Sequence, residues 1–171
     1  MKVSVKNLIV AAVLLALSVA LYKFFGGVTL FGGYLCVMEA PILLAGLLCG
    51  PILGGLAGIA SPFLCALLFS SPVMNPDAIA LAAQLLIFGV AGGVFYKVMR
   101  QNVYISLILA MYLGKTVYGV VMHFLSKGFG SDAFLHDVFF DCIPGIVIEI
   151  VLLPLIAILL DKTGLMRRGE R

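Results

Sequence analysis

Residues 33–69 read GYLCVMEAPILLAGLLCGPILGGLAGIASPFLCALLF, and Glu39 is the only charged side chain among them. A helix that crosses a bilayer needs about 20 apolar residues, so this stretch has room for two crossings. The pair Gly50-Pro51 predicts a tight turn between them. The stretch therefore predicts a helical membrane protein in which two neighbouring spans form a hairpin.

The rest of the 171-residue chain has the same character. Hydrophobic residues make up 63% of it and charged residues 11%, whereas soluble domains carry about 25% charged residues. The 19 Gly and seven Pro suit membrane helices, in which both residues are common. A transmembrane β-barrel would show segments of about ten residues that alternate in polarity, but the apolar runs here are continuous. The predicted fold class is an all-α integral membrane protein.

Charges and turn-forming residues divide the chain into six predicted transmembrane helices, which form one transmembrane domain over residues 1–171. The predicted spans are 7–24, 33–49, 51–69, 77–98, 103–125 and 140–160. The first span can also be read as a cleavable signal peptide. We favour a retained helix, because many more spans follow and because its small residues suit helix packing.

The positions of Lys and Arg predict the orientation, since short cytoplasmic loops are enriched in both. With an even number of spans, eight basic residues fall on one side: Lys2, Lys6, Lys97, Arg100, Lys162, Arg167, Arg168 and Arg171. The opposite side holds Asp77, Asp132, Asp137 and Asp141, of which the last three are expected in a solvated outer loop. We therefore expect a multi-pass protein of a prokaryotic cytoplasmic membrane with both termini in the cytoplasm.

Several classes of site are disfavoured by the sequence. The four Cys residues lie at scattered spacings in apolar surroundings, which is typical of buried small side chains and not of a metal site. No basic stripe predicts nucleic-acid binding. Gly92-Gly93 lacks the following Lys-Ser/Thr of a phosphate-binding loop. We expect no metal and no cofactor in this chain, so active transport would need an ion gradient or another subunit.

Ionisable residues inside the membrane are the strongest functional signal, because each costs about 2.5–3.5 kcal/mol at the centre of a helix. The candidate substrate-binding residues are Glu39, Gln84, Lys115, Tyr118, His123 and Glu149. At 1.5 Å per residue, Glu39 is expected about 9 Å, Gln84 about 10 Å, Glu149 about 13 Å and Lys115 about 16 Å below the outer ends of their spans. This distribution predicts an outward-facing site for a small polar solute.

Structural alternatives exist for four of these residues. Lys115 and Glu149 can form a salt bridge with each other, and a ligand can also compete for one of the partners. His123 lies near a helix end, where it can meet interfacial water. Glu39 can be satisfied by loop groups close to the surface.

Small residues recur every four positions and allow helices to approach each other closely. Ala12, Ala16 and Ala20, here called the Ala stripe, lie on one face of the first predicted helix. Gly54 and Gly58 on the third span, and Gly89 and Gly93 on the fourth, repeat the pattern. We expect the Gly pairs to pack inside the protein and the Ala stripe to contact an external partner.

Taken in order, several segments resemble the S-components of energy-coupling factor (ECF) vitamin transporters. They are MEAPILLAGLLCGP (38–51), GIASP (58–62), QLLIFG (84–89), AGG (91–93), NVYISLI (102–108) and GKTVYG (114–119). The resemblance covers most of the chain. It implies a six-helix membrane protein that captures a vitamin outside the cell and docks on a module of one membrane coupling protein and two ATPase subunits.

The resemblance also implies roles for individual residues. The Ala stripe is similar to the Ala-x-x-x-Ala motif that contacts the coupling protein, and ATP would be used by the partner subunits. The ligand would lie between the outer loops and the outer halves of helices four to six. The sequence departs from relatives that tend to carry Glu at position 84, Arg at 115 and Gln at 149. Glu149 is therefore the predicted specificity residue.

Three functions follow as hypotheses. The first is an S-component that binds a small water-soluble vitamin or precursor and has no catalytic activity. The second is a stand-alone ion-coupled carrier in which Glu39 or Glu149 carries a proton. The third, a small membrane enzyme, is disfavoured because acids, bases or metal ligands should then cluster at a membrane face.

Overall fold

The computed structural model describes residues 5–25, 29–30, 33–34, 38–126, 147 and 149–156. Its helices are α1 (Val5–Phe25), α2 (Glu39–Cys49), α3 (Pro51–Phe69), α4 (Ile79–Gly93) and α5 (Val103–Leu125). The chain is helical again at 147 and 149–156, and we call residues 149–156 α6. The predicted outer loop at 127–137, the basic tail at 162–171 and most of the sixth predicted span lie outside the described residues.

Four helices of the described part are long and apolar enough to cross a membrane. They are α1, α3, α5 and the segment Met74–Val98, in which a turn kinked at the extended residue Asn75 precedes α4 and a π-helical turn follows it. These helices agree with predicted spans 7–24, 51–69, 77–98 and 103–125 to within three residues. The helical membrane class is confirmed, whereas the count of six spans stays a prediction.

The second predicted span, 33–49, is wrong at its start. Helix α2 begins at Glu39, and Gly33–Tyr34 instead forms a strand that pairs antiparallel with Thr29–Leu30. A helix that ran from residue 33 would place Pro41 in its interior, where the ring removes a backbone hydrogen bond and clashes with the preceding turn. In the first turn of a helix Pro is tolerated. Each strand of this hairpin has only two residues, so the all-α class is unchanged.

The corrected helix α2 is too short to cross a bilayer. Its 11 residues span about 16 Å at 1.5 Å per residue, compared with a hydrocarbon core of about 30 Å. It lies at the centre of the bundle and contacts α1, α3 and α4. Every residue from Pro41 to Cys49 is buried, as expected for a helix that is apolar on all sides. Glu39 therefore begins a half-length helix surrounded by other helices.

Glycines allow the backbones of α2, α3 and α4 to meet. A methyl group added at Gly89 would lie 2.2 Å from the backbone of Gly54, and one added at Gly46 would lie 2.5 Å from the carbonyl oxygen of Gly89. A methyl group added at Gly58 would lie 2.3 Å from a backbone atom of Leu85, and one added at Gly93 would lie 2.5 Å from a backbone atom of Pro51. The expectation that the Gly pairs pack inside the protein is confirmed.

Basic residues gather at one end of the bundle, which we call the basic end. Lys6 on α1 lines a small groove together with Leu48 and Cys49 at the end of α2. The ammonium of Lys97 donates a hydrogen bond to the carbonyl of Leu48, where a cation suits the negative end of the helix dipole. Arg100 follows in the turn before α5. The described part of the predicted basic cluster therefore lies on one side.

Candidate substrate-binding site

A buried carboxylate joins three helices near the middle of the bundle. The amide nitrogen Nε2 of Gln84 on α4 donates to Oε1 of Glu39 at 2.7 Å. The ammonium Nζ of Lys115 on α5 donates to the same oxygen at 2.6 Å, which completes an ion pair. All three residues are buried, with exposed fractions of 4% or less for the whole residue. We call Glu39, Gln84 and Lys115 the central cluster.

The other carboxylate oxygen of Glu39 lacks such hydrogen-bond donors among the described residues. Oε2 is buried and accepts no hydrogen bond from the part of the chain that the structure describes. An ionised carboxylate offers about four lone-pair sites, and leaving buried acceptors unsatisfied costs about 1–3 kcal/mol, more when they are charged. Glu39 is thus already oriented through Oε1 and retains acceptor capacity for a further donor at Oε2.

The start of α2 places an acidic residue, Glu39, in the first turn of the helix. Glu39 is the first residue of this helix, where the unpaired N–H groups give the helix end a partial positive charge. Lys115 adds a full positive charge at 2.6 Å. A buried ion pair is tolerated only when such additional contacts offset the loss of hydration. The helix end and Gln84 supply these contacts on the Glu39 side.

Lys115 is held on its other side by an aromatic ring. Its Nζ lies 6.0 Å from the centroid of the Phe88 ring, a distance at which a cation is attracted to the ring face. Phe88 is fully buried, and a methyl group added at Gly114 would lie 2.1 Å from its ring carbons. Gly114 therefore gives Phe88 the space to lie beside the ammonium of the next residue on α5.

The remaining predicted site residues differ in burial. Glu149 on α6 is buried, with an exposed fraction of 4%. Tyr118 is half-buried one helical turn beyond Lys115. His123 is exposed and lies edge-on to the ring of Phe124, with 5.9 Å between the ring centroids. The described structure thus unites Glu39, Gln84 and Lys115 and leaves His123 at the surface of α5.

Two expectations about Glu39 are wrong. Its carboxylate does not rely on loop groups near the surface, since it contacts two helices close to their middles. Its expected depth of about 9 Å assumed a helix from residue 33, whereas α2 begins at Glu39 itself. The structure also pairs Lys115 with Glu39, a partner that was not considered. Pro41, which marks a helix start two residues earlier, is the sequence signal that would have corrected the depth.

The Ala stripe faces away from the bundle. Ala12, Ala16 and Ala20 are all exposed, while Ala11 and Ser18 on the same helix are buried. Helix α1 is the least buried of the four long helices. Small side chains on an exposed face allow another helix to approach closely. The stripe is therefore accessible in the described structure.

Replacing Gln84 with Met is expected to lower the free energy of unfolding by about 1.5–3 kcal/mol, the value of a hydrogen bond to a charged group. Met has a similar volume but no N–H donor, so Oε1 of Glu39 would keep only Lys115 among the contacts described above. Thermal unfolding of the detergent-solubilised protein measures the change. The half-buried Gln101, replaced by Met, is the control. Equal stability of the Gln84 variant and the wild type would contradict the assigned hydrogen bond.

Together, the long apolar helices and the buried central cluster define a multi-pass helical membrane protein with a charged site inside its bundle. The chain belongs to the family described as the ECF-type riboflavin transporter, S component, whose profile matches residues 2–161. The resemblance to S-components is thereby confirmed, and the protein is a substrate-binding subunit of a vitamin transporter of this type. Comparisons with curated proteins and with solved structures give no match.

Proposed function

We propose that this chain binds riboflavin with high affinity in the central cluster and delivers it for uptake. The observation that carries the proposal is the buried Oε2 of Glu39, which has no hydrogen-bond donor in the described structure. The match to riboflavin-type S-components over residues 2–161 supports the choice of ligand. A ligand O–H or N–H that reached Oε2 would satisfy this oxygen, and the bound state would gain a hydrogen bond to a charged acceptor.

The charges of the cluster are compatible with this ligand. Riboflavin is uncharged at neutral pH and carries ribityl hydroxyls, an imide N–H and ring carbonyls. Glu39 and Lys115 balance each other at 2.6 Å, so this pair requires no charge on the ligand. In the proposed complex Glu39 accepts from a ligand hydroxyl or imide, and Lys115 donates to a ligand carbonyl. Gln84 holds the carboxylate in place.

The other predicted residues have supporting roles in the proposal. Tyr118 lies on α5 one turn beyond Lys115 and would line the path to the cluster, and His123 would lie near its mouth. Glu149, buried on α6, would select among ligands by accepting from a hydroxyl or ring nitrogen. Riboflavin affinity of Glu149→Gln, compared with its affinity for other vitamins, tests this role: an unchanged ranking of ligands would remove Glu149 from the proposal.

The decisive experiment identifies the ligand directly. The detergent-solubilised protein is analysed by native mass spectrometry for a co-purified ligand, and ligand-free protein is then titrated with riboflavin while flavin fluorescence is followed. We expect stoichiometric quenching by riboflavin. Thiamine, pyridoxine and biotin serve as competitors at the same concentration. A co-purified vitamin other than riboflavin, or the absence of quenching, would overturn the assignment of the ligand.

Partner subunits would supply the energy for uptake. In the proposed complex the Ala stripe docks on the membrane coupling protein of an ECF module, and two ATPase subunits hydrolyse ATP. The N-terminus would lie in the cytoplasm, because Lys6, Lys97 and Arg100 lie at one end and basic residues favour the cytoplasmic side. The predicted even number of spans would place the C-terminus on the same side. A stand-alone carrier, by contrast, would need no ATPase subunits. Uptake into liposomes driven by a proton gradient alone would favour the carrier.

Replacing Ala16 with Phe is expected to reduce co-purification with the coupling protein by at least about tenfold, because a large ring prevents close approach of a second helix. Riboflavin affinity should stay unchanged, since Ala16 is exposed on α1. Leu17→Phe is the matched control, because Leu17 is also exposed on α1 but lies outside the stripe. Equal loss of the partner in both variants would argue against a specific docking face.

A further inference from the structure

A buried serine connects α1 to the residue that precedes Glu39. The hydroxyl of Ser18 donates to the backbone carbonyl of Met38 at 3.0 Å. It also lies 2.8 Å from the hydroxyl of Ser61 on α3. Ser18 and Ser61 are fully buried, and Met38 has an exposed fraction of 6%. Three segments of the chain therefore meet at one hydroxyl group next to the start of α2.

The direction of these hydrogen bonds follows from the number of protons. A serine hydroxyl has one proton and two acceptor lone pairs, and a carbonyl oxygen can only accept. Ser18 donates its hydroxyl proton to the carbonyl oxygen of Met38, so Ser61 must donate to Ser18. Loss of the Ser18 hydroxyl thus removes two hydrogen bonds and releases Met38. Loss of the Ser61 hydroxyl removes one hydrogen bond and leaves Met38 held.

Met38 lies at the start of α2. It is the N-cap residue of α2, and no side chain caps the helix by a hydrogen bond. Unpaired groups at a helix end allow fraying unless another contact holds them. The Ser18 contact holds the peptide between Met38 and Glu39 from outside the helix. The direction of the Glu39 carboxylate toward Gln84 and Lys115 depends on this peptide.

We propose that Ser18 is a positioning residue for the substrate site: through the Met38 carbonyl it holds Glu39 in the orientation that binds the ligand. The inference rests on the proposed function for its effect on affinity. Ser18 lies about 200° around α1 from Ala16, at 100° per residue. One helix therefore presents the proposed docking face on one side and holds the start of α2 on the other.

The first measurement compares Ser18→Ala with Ser61→Ala in the full chain, using riboflavin as the probe. Both variants lose one buried hydroxyl, but only the first releases Met38. We expect Ser18→Ala to weaken riboflavin binding about threefold to tenfold, the range that corresponds to one hydrogen bond. Ser61→Ala should bind within about twofold of the wild type. Equal affinities of the two variants would overturn the proposal. If Ser18→Ala does not fold, Ser18→Cys replaces it, because a thiol is only a weak donor.

A double-mutant cycle separates positioning from general packing. If Ser18 acts through Glu39, then Ser18→Ala should have little further effect on affinity once Glu39→Gln is present, whereas independent residues give additive effects. Additive losses would assign Ser18 a packing role only. The same three variants are also compared by thermal unfolding of the ligand-free protein. There too, we expect the stability losses of Ser18→Ala and Glu39→Gln to be non-additive in the double variant. Lack of riboflavin binding by the wild type would overturn the proposed function, while the stability cycle would still decide the role of Ser18.

Discussion

Replacement of Lys115 with Met is expected to abolish riboflavin binding and to lower the free energy of unfolding by about 3–5 kcal/mol, the cost of breaking a buried ion pair. The ammonium lies 2.6 Å from Glu39, and both side chains are buried. Without it, a charged carboxylate would remain in an apolar bundle with Gln84 as its donor among the contacts described above. Thermal unfolding in detergent and fluorescence titration measure the two effects.

The double variant Lys115→Met, Glu39→Gln is the matched control. It removes both charges, and replacing a buried ion pair by neutral groups of similar size is often close to neutral for stability. We expect most of the lost stability to return, while riboflavin binding stays absent. A double variant that binds like the wild type would exclude the central cluster as the ligand site. A single variant as stable as the wild type would contradict the ion pair itself.

Replacement of Gly89 with Ala is expected to lower the free energy of unfolding by about 3 kcal/mol, at the upper end of the usual cost of overpacking. The added methyl group would lie 2.2 Å from the carbonyl carbon and oxygen of Gly54. These are backbone atoms, so the contact cannot be relieved by a change of rotamer, and α3 and α4 would have to separate. The melting temperature and the fraction of monodisperse protein after gel filtration report the change.

Gly92 provides the control for this substitution. It is buried on the same helix, but an added methyl group would meet its nearest atoms at 3.9–4.0 Å, which is ordinary van der Waals contact. Ala also has a higher helix propensity than Gly, by about 1 kcal/mol. Gly92→Ala should therefore be as stable as the wild type or slightly more stable. Equal destabilisation at positions 89 and 92 would show that the close approach of α3 and α4 does not depend on Gly89.

Lys115→Met and Gly89→Ala test two different requirements of the same site. The charges of Glu39 and Lys115 supply the chemistry, whereas Gly89 and its neighbours determine how closely α4, which carries Gln84, packs on α2 and α3. Helix α4 carries both Gln84 and Gly89, so a displacement at Gly89 would also move the donor to Glu39. We therefore expect Gly89→Ala to weaken riboflavin binding in addition to its effect on stability.

Composition and hydrophobic runs predicted much of the fold. Long apolar segments and their bounding charges placed α1, α3, α5 and the segment Met74–Val98 to within three residues, because the length of a membrane helix is a local property of the chain. The same reasoning failed at α2. A continuous apolar run was read as a full span, although Pro41 and the glycines at 32 and 33 favour an extended segment followed by a short helix.

The sequence by itself determined which residues are expensive to bury, and it singled out Glu39, Gln84 and Lys115 as members of a site. Only the tertiary structure decided that these three meet. Glu39 and Lys115 are 76 positions apart, and no spacing along the chain specifies a contact between different helices. The contact of Gln84 with Glu39 also needs α4 to pack closely on α2, which Gly46 and Gly89 allow. The inward direction of Ser18 and the outward direction of the Ala stripe are decided in the same way, because helical periodicity separates two faces but does not say which one the bundle covers.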